Sequence, residues 1–491
     1  MNQVSKIAAA VACVAAVGYA GFSWHMGQQA EFHTQQALDW VQGKLGERGS
    51  VQGDYRRGVF SDENTIVIEL KRPALAAKQA GEDGENSEAA AAPAVPAGPL
   101  RLHIAQRVSH GVPGRVSTHL KLVKVEGLPD DVRQAFAQAE PPEVTVQRSL
   151  AGGVQARLLL PAGKFVPALP PGKAASHVTW QPLTYDVKLD RQGENKHITG
   201  QVDWPGVDMF MDWPRCPRGF DDCKPLQMKL ARLDGQFDFS IVDELWMAPP
   251  GKAEFTARDL QITPGGGTRS HMKELTYQVE ITRKDDAVSS HMRFAGSGQL
   301  GEVQLQAFRH EFDLDDINAA ALLNAQQMIA RAWSGLTDKG AHATDEERQA
   351  ALAEAGKRMR ADADALVEQL MTGTPSVRTR YSATIDGQAG FFEYSLALPA
   401  GERPGADALF KLPPMLSLMQ FTRFKADLRV PHAWGKTMAQ MLNNPQVTPE
   451  TLSQMLGGLV QQGFLKDEGG AWSGQVEVQP GGKVLINGLP M

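Results

Sequence analysis

The sequence predicts a mainly β protein of the α+β kind: a long antiparallel sheet or meander curved around a central helical hairpin, behind an N-terminal transmembrane helix. Three observations predict it. Stretches such as Leu120–Val125, Asp186–Leu189, Leu226–Leu230 and Val303–Gln306 alternate apolar and polar residues, which gives each strand one buried and one wet face. Residues 313–373 change to steps of three and four, the spacing of a helix face. Residues Ile7 to Trp24 carry no charge at all.

At 491 residues the chain is too long for one simple core, so it needs several compact units or a sheet that grows along an axis. Its net charge is −6, and no stretch crowds Lys and Arg among aromatics. That excludes the basic footprint of a nucleic-acid binder.

In chain order, Ile7–Trp24 comes first. As a helix it would reach about 27 Å, close to the roughly 30 Å of a bilayer core. Lys6 precedes it and Glu31 follows, which sets the N-terminus in the cytoplasm and exports the body. Gly18-Tyr19-Ala20 also fits a small-x-small cleavage site, so a removed signal peptide is the alternative. The division is then an anchor over residues 1–27 and an exported domain over residues 28–491. Residues 28–46 have helical character, with Phe32, Leu38, Val41 and Leu45 as apolar points. Tyr55 to Ser61 leads into an alternating strand at Thr65–Leu70. Residues 77–99 are Ala, Gly, Glu and Pro, a disordered loop with too little apolar area to fold.

Strands then run from Leu100 to Phe312. The helical hairpin follows, with Leu322, Ala325, Ile329, Trp333 and Leu336 on one helix and Leu352, Ala355, Met359, Leu366 and Leu370 on the other. Gly335 and Thr337–Gly340 connect the two. Thr344 and Glu347 have capping-box spacing at the start of the second, and Gly373-Thr374-Pro375 ends it. Strands resume at Val377–Ile385, Phe391–Leu398 and Phe424–Val430. Short helices at Trp434–Leu442 and Pro449–Gln462 precede a closing hairpin, Gly474–Val478 and Val484–Asn487, which turns at Pro480-Gly481-Gly482.

Little in the chain points to a reaction. Gly296-Ser297-Gly298-Gln299-Leu300-Gly301 has dinucleotide-loop spacing, but a strand rather than a helix follows, so it reads as a turn. No P-loop, His-Glu-x-x-His or Gly-x-Ser-x-Gly occurs, and no catalytic residue, cofactor or metal is expected. In an exported body Cys216 and Cys223 would pair as a disulfide, a local clasp contributing roughly 2.5 kcal/mol on the chain-entropy model. The rival is a metal site recruiting His177 and His197. His103, His110 and His119 read as simple polar residues on strand edges, since no nucleophile is paired with them. Trp204, Trp213 and Trp246, with Met209, Met211 and Met247, either line an apolar-ligand groove or fill an ordinary sheet core.

Several short pieces together resemble the YdgA-like family (domain of unknown function 945), inner-membrane-anchored proteins of Gram-negative bacteria. They are Gly21 to Gly27, Tyr55 to Ser61, His110-Gly111, the helical passage ending in Gly373-Thr374-Pro375, Ala426 to Pro431, and Ile486 to Pro490. Where the family pattern has Pro directly after His-Gly, this chain has Val112 and then Pro113. The resemblance implies a retained anchor and a periplasmic body, and it brings no catalytic residues. The single anchor and strand-rich body also look like AsmA-type envelope proteins linked to lipid traffic, an analogy of fold. The expectation is a non-catalytic envelope protein at the inner membrane that shields or conveys lipid or another apolar ligand. Its partners would be the membrane, lipid and other envelope proteins, with no nucleic acid. An envelope scaffold without a ligand is the first alternative, and a periplasmic hydrolase the second.

Overall fold

A computed structural model describes residues 28–43, 45, 46, 49–58, 60–71, 98–112, 115–128, 139–149, 153–166, 176–192, 195–212, 225–265, 269–338, 372–399, 421–442 and 448–491, with isolated positions at 133, 353, 366, 369 and 370. The candidate anchor, most of the 77–99 run, Trp213, Cys216 and Cys223 lie outside these residues. Among the described residues no helix is long and apolar enough to cross a membrane. Strand is the dominant structure, every ladder described below is antiparallel, and helices are few. The chain divides into two compact units between Cys223 and Lys224.

The first unit carries helix α1 (residues 28–43) and strands β1 (Gly49–Arg56), β2 (Ser61–Leu70), β3 (Leu100–Val112), β4 (Arg115–Glu126), β5 (Glu143–Ser149), β6 (Val154–Leu160), β7 (Gly163–Phe165), β8 (His177–Trp180), β9 (Leu183–Gln192), β10 (Asn195–Trp204) and β11 (Val207–Met211). Strands β1 to β6 pair in sequence, then β6 pairs with β9 and β9 with β10. A second ladder joins β7, β8 and β11 at Trp180, which stands opposite both Gly163 and Val207. Helix α1 closes the free edge of β1 with one side chain. Gln42 accepts from Val51 N at 2.9 Å and donates to Gly49 O at 3.3 Å, the two bonds a neighbouring strand would make.

The second unit carries β12 (Leu226–Leu230), β13 (Arg232–Ile241), β14 (Gly251–Pro264), β15 (Ser270–Lys284), β16 (Ala287–Leu300), β17 (Val303–Asn318), helix α2 (Ala319–Asp338), β18 (Ser376–Ile385), β19 (Gln388–Ala397), β20 (Arg423–Pro431), helices α3 (Trp434–Leu442) and α4 (Pro449–Gln461), β21 (Lys466–Asp467), β22 (Ala471–Val478), β23 (Val484–Ile486) and β24 (Leu489–Pro490). Strands β12 and β13 share one edge of β14, end to end. From β14 to β20 each strand pairs with the next, and the ladder continues through β22, β23 and β24.

The helical passage begins later than the sequence spacing suggests. Residues Asp313–Asn318 are the last turns of alternation in β17, where Asp315 stands opposite Ser376. Asn318 then caps α2, its Oδ1 accepting from Ala321 N at 3.0 Å. The Trp333 and Leu336 side chains and most of the proposed second helix, from Thr344 to Met359, lie outside the described residues. The glycine run 296–301 is strand and turn, as its downstream alternation implied. Gly298 sits in a β-bulge, and Gly301 begins the turn into β17.

Candidate functional site

Strand register in the second unit sets side chains in rows across the sheet. One row runs Phe255, Tyr277, Phe294, His310, Tyr381 and Phe392, each the register partner of the next, from β14 to β19. Five strand spacings make it about 24 Å long. Two of its five neighbouring pairs stack. Phe255 and Tyr277 stack at 6.5 Å between centroids, and His310 lies flat on Tyr381 at 4.3 Å with planes 3° apart. Two residues further along each strand the next row reads Ala253, Val279, Met292, Phe312, Thr379 and Tyr394, again without a charge.

The odd-numbered neighbours on β17 and their partners face the other way, and most of them are charged or polar. The row opposite contains Glu254, Gln278, Arg293, Glu311, Arg380 and Glu393. Arg293 pairs with Glu311 at 3.4 Å, Arg380 with Glu393 at 3.2 Å, and Arg378 with Glu393 at 2.9 Å and Asp313 at 3.3 Å. The hydrogen bond from Arg378 is the main cause that holds the Glu393 carboxyl below the usual carboxylate range. One face of this sheet is therefore built for water.

The aromatic face is not fully covered. Tyr277 and Phe294 are each 38% exposed, Tyr381 46% and Phe392 42%. Four such rings leave roughly 300 Å² of neighbouring apolar surface, the size of the largest patch on a typical monomer. Among the described residues, helices pack on this face at its two ends. Leu322 and Leu323 of α2 pack with Leu245, Val288 and Ile281, while Trp434 of α3 packs with Phe308, Ala383, Leu305 and Ile385. Gln326 fastens α2 to the loop after β13, accepting from Trp246 N and Met247 N at 3.0 and 3.1 Å and donating to Glu244 O at 3.0 Å. Two buried polar atoms on the aromatic face, His310 Nε2 and Thr379 Oγ1, have no hydrogen-bond partner among the described residues. A long apolar surface with a few polar points suits an amphiphile.

The candidate lining residues are not gathered in one unit. Trp204, Met209 and Met211 belong to β10 and β11 of the first, where Trp204 Nε1 donates to Gln181 O at 3.2 Å. Trp246 and Met247 belong to the second and are 59% and 40% exposed on the loop that Gln326 holds. The aromatic row escaped the sequence reading because each member is a single apolar residue in its own strand. Only register across six strands collects them. The available signal was an aromatic near the middle of each successive strand.

A second constellation corrects the reading of His110 as a simple edge residue. On β2 the alternation turns Asp62, Asn64 and Ile66 inward, and buried polar groups need partners. Asp62 and His110 are each 1% exposed and pair at 3.2 Å. Asp62 also accepts from Tyr55 OH at 2.7 Å and Gly58 N at 2.9 Å, and His110 N donates to Phe60 O at 3.1 Å. Beside it, Asn64 donates to Gln106 at 2.9 Å, and Gln106 reaches Thr34 of α1 at 3.4 Å. The segments Tyr55–Ser61 and His110-Gly111, far apart in sequence, are thus one clasp. With both Asp62 and His110 enclosed, it holds the strand ends together and does not meet solvent. Asn487 ties the C-terminal segment in a similar way, donating to Gly463 O at 2.9 Å and accepting from Gln475 N at 3.0 Å.

Comparison with curated proteins and with solved structures finds no match. The family model of a bacterial protein of unknown function, DUF945, matches residues 1–491. Of the segments expected to mark that family, Tyr55–Ser61 and His110-Gly111 meet in the clasp and Ile486–Pro490 reaches the closing hairpin, while Gly21–Gly27 lies outside the described residues; the chain belongs to the DUF945 family.

Proposed function

We propose that the chain is a single-anchor envelope protein of the inner membrane, its N-terminus cytoplasmic and its body periplasmic, that shields or conveys the acyl chain of a lipid on the aromatic face of its second unit. The observation that carries this reading is the exposed row from Phe255 to Phe392. Its length of about 24 Å exceeds the roughly 15 Å depth of one leaflet of hydrocarbon. The rows beside it are free of charge, which suits a hydrocarbon chain better than a polar partner. In this reading the helical passage completes a hairpin. The bonds from Asn324 to Gln369 at 2.6 Å and from Asn318 to Thr372 at 3.0 Å support it, since they tie the first turns of α2 to the end of the passage. In the oxidising periplasm Cys216 and Cys223 form their local disulfide, which mass mapping without reductant would read.

The test is lipid extraction and mass spectrometry of the purified full chain, beside the double variant Tyr381→Ser, Phe392→Ser. The expected result is co-purifying lipid in the parent and several-fold less in the variant. Melting should be nearly unchanged, because both rings are substantially exposed. Repeated absence of lipid from the parent would overturn this reading in favour of a protein-binding scaffold.

A further inference from the structure

Residues 242–250 join β13 to β14, and the structure holds them firmly. Leu245 is buried against Val288, Ile281 and the first turns of α2. Asp243 and Glu244 both take the left-handed backbone, with φ 52° and 61°. Such residues keep that conformation only where their surroundings enforce it. Gln326 does so here, binding Glu244 O and the N–H groups of Trp246 and Met247. A loop pinned in this way could turn its apolar side chains inward. Instead Trp246 is 59% and Met247 40% exposed. The indole N–H of Trp246 makes no hydrogen bond among the described residues. The fold thus presents a tryptophan rigidly to the outside.

Position and charge name the occupant. Ile281, against which Leu245 packs, lies four residues beyond Tyr277 on β15 and on the same face. The loop therefore stands at one margin of the apolar face, about 13 Å along the strand from the aromatic row. Tryptophan favours the boundary between hydrocarbon and headgroups, where its ring is buried and its N–H finds an oxygen. The loop has no Lys or Arg of its own. Arg283 binds Asp243 at 2.8 Å and the carbonyl of Asp285 at 3.2 Å, which joins the loop to the turn between β15 and β16. Asp243, Glu244, Asp285 and Asp286 then stand against Arg283 and Lys284, four carboxylates to two cations. That balance repels an anionic surface and suits headgroups that carry an ammonium.

We propose that residues 242–250 are where the second unit touches a zwitterionic lipid surface, with Trp246 and Met247 entering among the headgroups, and that lipid crosses this margin to reach the aromatic row. The proposal rests on the lipid-shielding reading above and assigns that site its entrance. Glu244 meets the ammonium groups of the surface. Because Gln326 already fixes the loop, little ordering accompanies the contact.

The full chain, held in phosphatidylcholine nanodiscs, would be mixed with vesicles of phosphatidylethanolamine and phosphatidylcholine. A pyrenyl-acyl phosphatidylethanolamine reports how fast lipid leaves the vesicles, with empty nanodiscs as the background. The parent should exceed that background, and Trp246→Ser should slow the transfer by about tenfold, as loss of a central tryptophan anchor does. Lipid co-purifying at equilibrium and the melting temperature should match the parent, because Gln326 binds only the backbone of the loop. Met247→Ser repeats the test should Trp246→Ser lower the melting temperature. Replacing phosphatidylethanolamine by phosphatidylglycerol should slow transfer to the parent, and Glu244→Lys should restore it. Faster transfer from the anionic vesicles would overturn the assignment of the surface. Equal rates for parent and Trp246→Ser, with lipid still co-purifying, would overturn the entrance, leave the lipid reading standing and favour a protein partner for the loop. A parent that neither exceeds the background nor co-purifies with lipid would overturn both.

Discussion

Asp62 Oδ2 and His110 Nε2 lie 3.2 Å apart with both side chains fully enclosed. The pair joins the start of β2 to the end of β3, and Tyr55 at the end of β1 and Gly58 in the turn that follows bind the same carboxylate. Removing one member leaves several buried groups without partners. Asp62→Ala is expected to destabilise the first unit by about 3–5 kcal/mol, as for other broken buried pairs. Urea unfolding followed by a probe in that unit measures it. A cost under about 1 kcal/mol would show that the clasp is not under tension with folding.

Tyr55 gives the clasp an alkaline limit. Burial, and then the hydrogen bond to Asp62, push its phenol above the ordinary value of 10.0. The folded state thus holds the proton longer than the unfolded chain, whose tyrosines ionise near pH ~10. Its contribution is complete below that pH and is lost as pH rises above it. Tyr55→Phe should lower stability at neutral pH and flatten the decline between about pH 10 and 11. An identical alkaline slope in parent and variant would dismiss Tyr55 as its source.

Glu393 acts in the opposite direction. The bond from Arg378, followed by the attraction of Arg378, Arg380 and Lys425, lowers its carboxyl below the ordinary 4.5. Stability from this group is present above the unfolded value and is lost as pH falls through the folded one. The pair is partly exposed, 22% at Glu393 and 40% at Arg378, so its worth is only about 1 kcal/mol. Glu393→Gln should remove that much at pH 7 and make the second unit's acid titration shallower below pH ~4.5. Thermal melts across pH 2–7 decide it.

Gln326 should matter more than its neutral side chain suggests. Its amide makes three bonds to the loop Glu244–Met247 while only 6% exposed. Gln326→Leu leaves two backbone N–H groups and a carbonyl unsatisfied, at a cost of about 2–3 kcal/mol. Amide exchange at Trp246 and Met247 should accelerate more than tenfold. Unchanged protection there would mean the loop is held by other contacts.

Much of the fold was legible because local chemistry decides it. Alternation at Leu226–Leu230, Val377–Ile385 and Phe424–Val430 recurs as β12, β18 and β20, since a strand with one wet face writes its period directly into the chain. The pair Trp434–Leu442 and Pro449–Gln461 was also readable, the second being capped at Thr448 ahead of Pro449. The boundary at Asn318 was not. Asp313, Leu314, Asp315 and Ile317 fit either period over so short a run, and pairing with β18 settled it.

The sequence by itself determined the strand-rich class, the antiparallel order, the helices around Leu322 and Trp434, and the family. Those follow from periodicity, caps and short motifs that act within a few residues. Only the tertiary structure decided that His110 is enclosed with Asp62, 48 positions away, and that six separate rings form one row. Both depend on register, and register is set by the summed pairing of whole strands. A shift of one residue would have turned Phe294, His310 and Tyr381 onto the charged face.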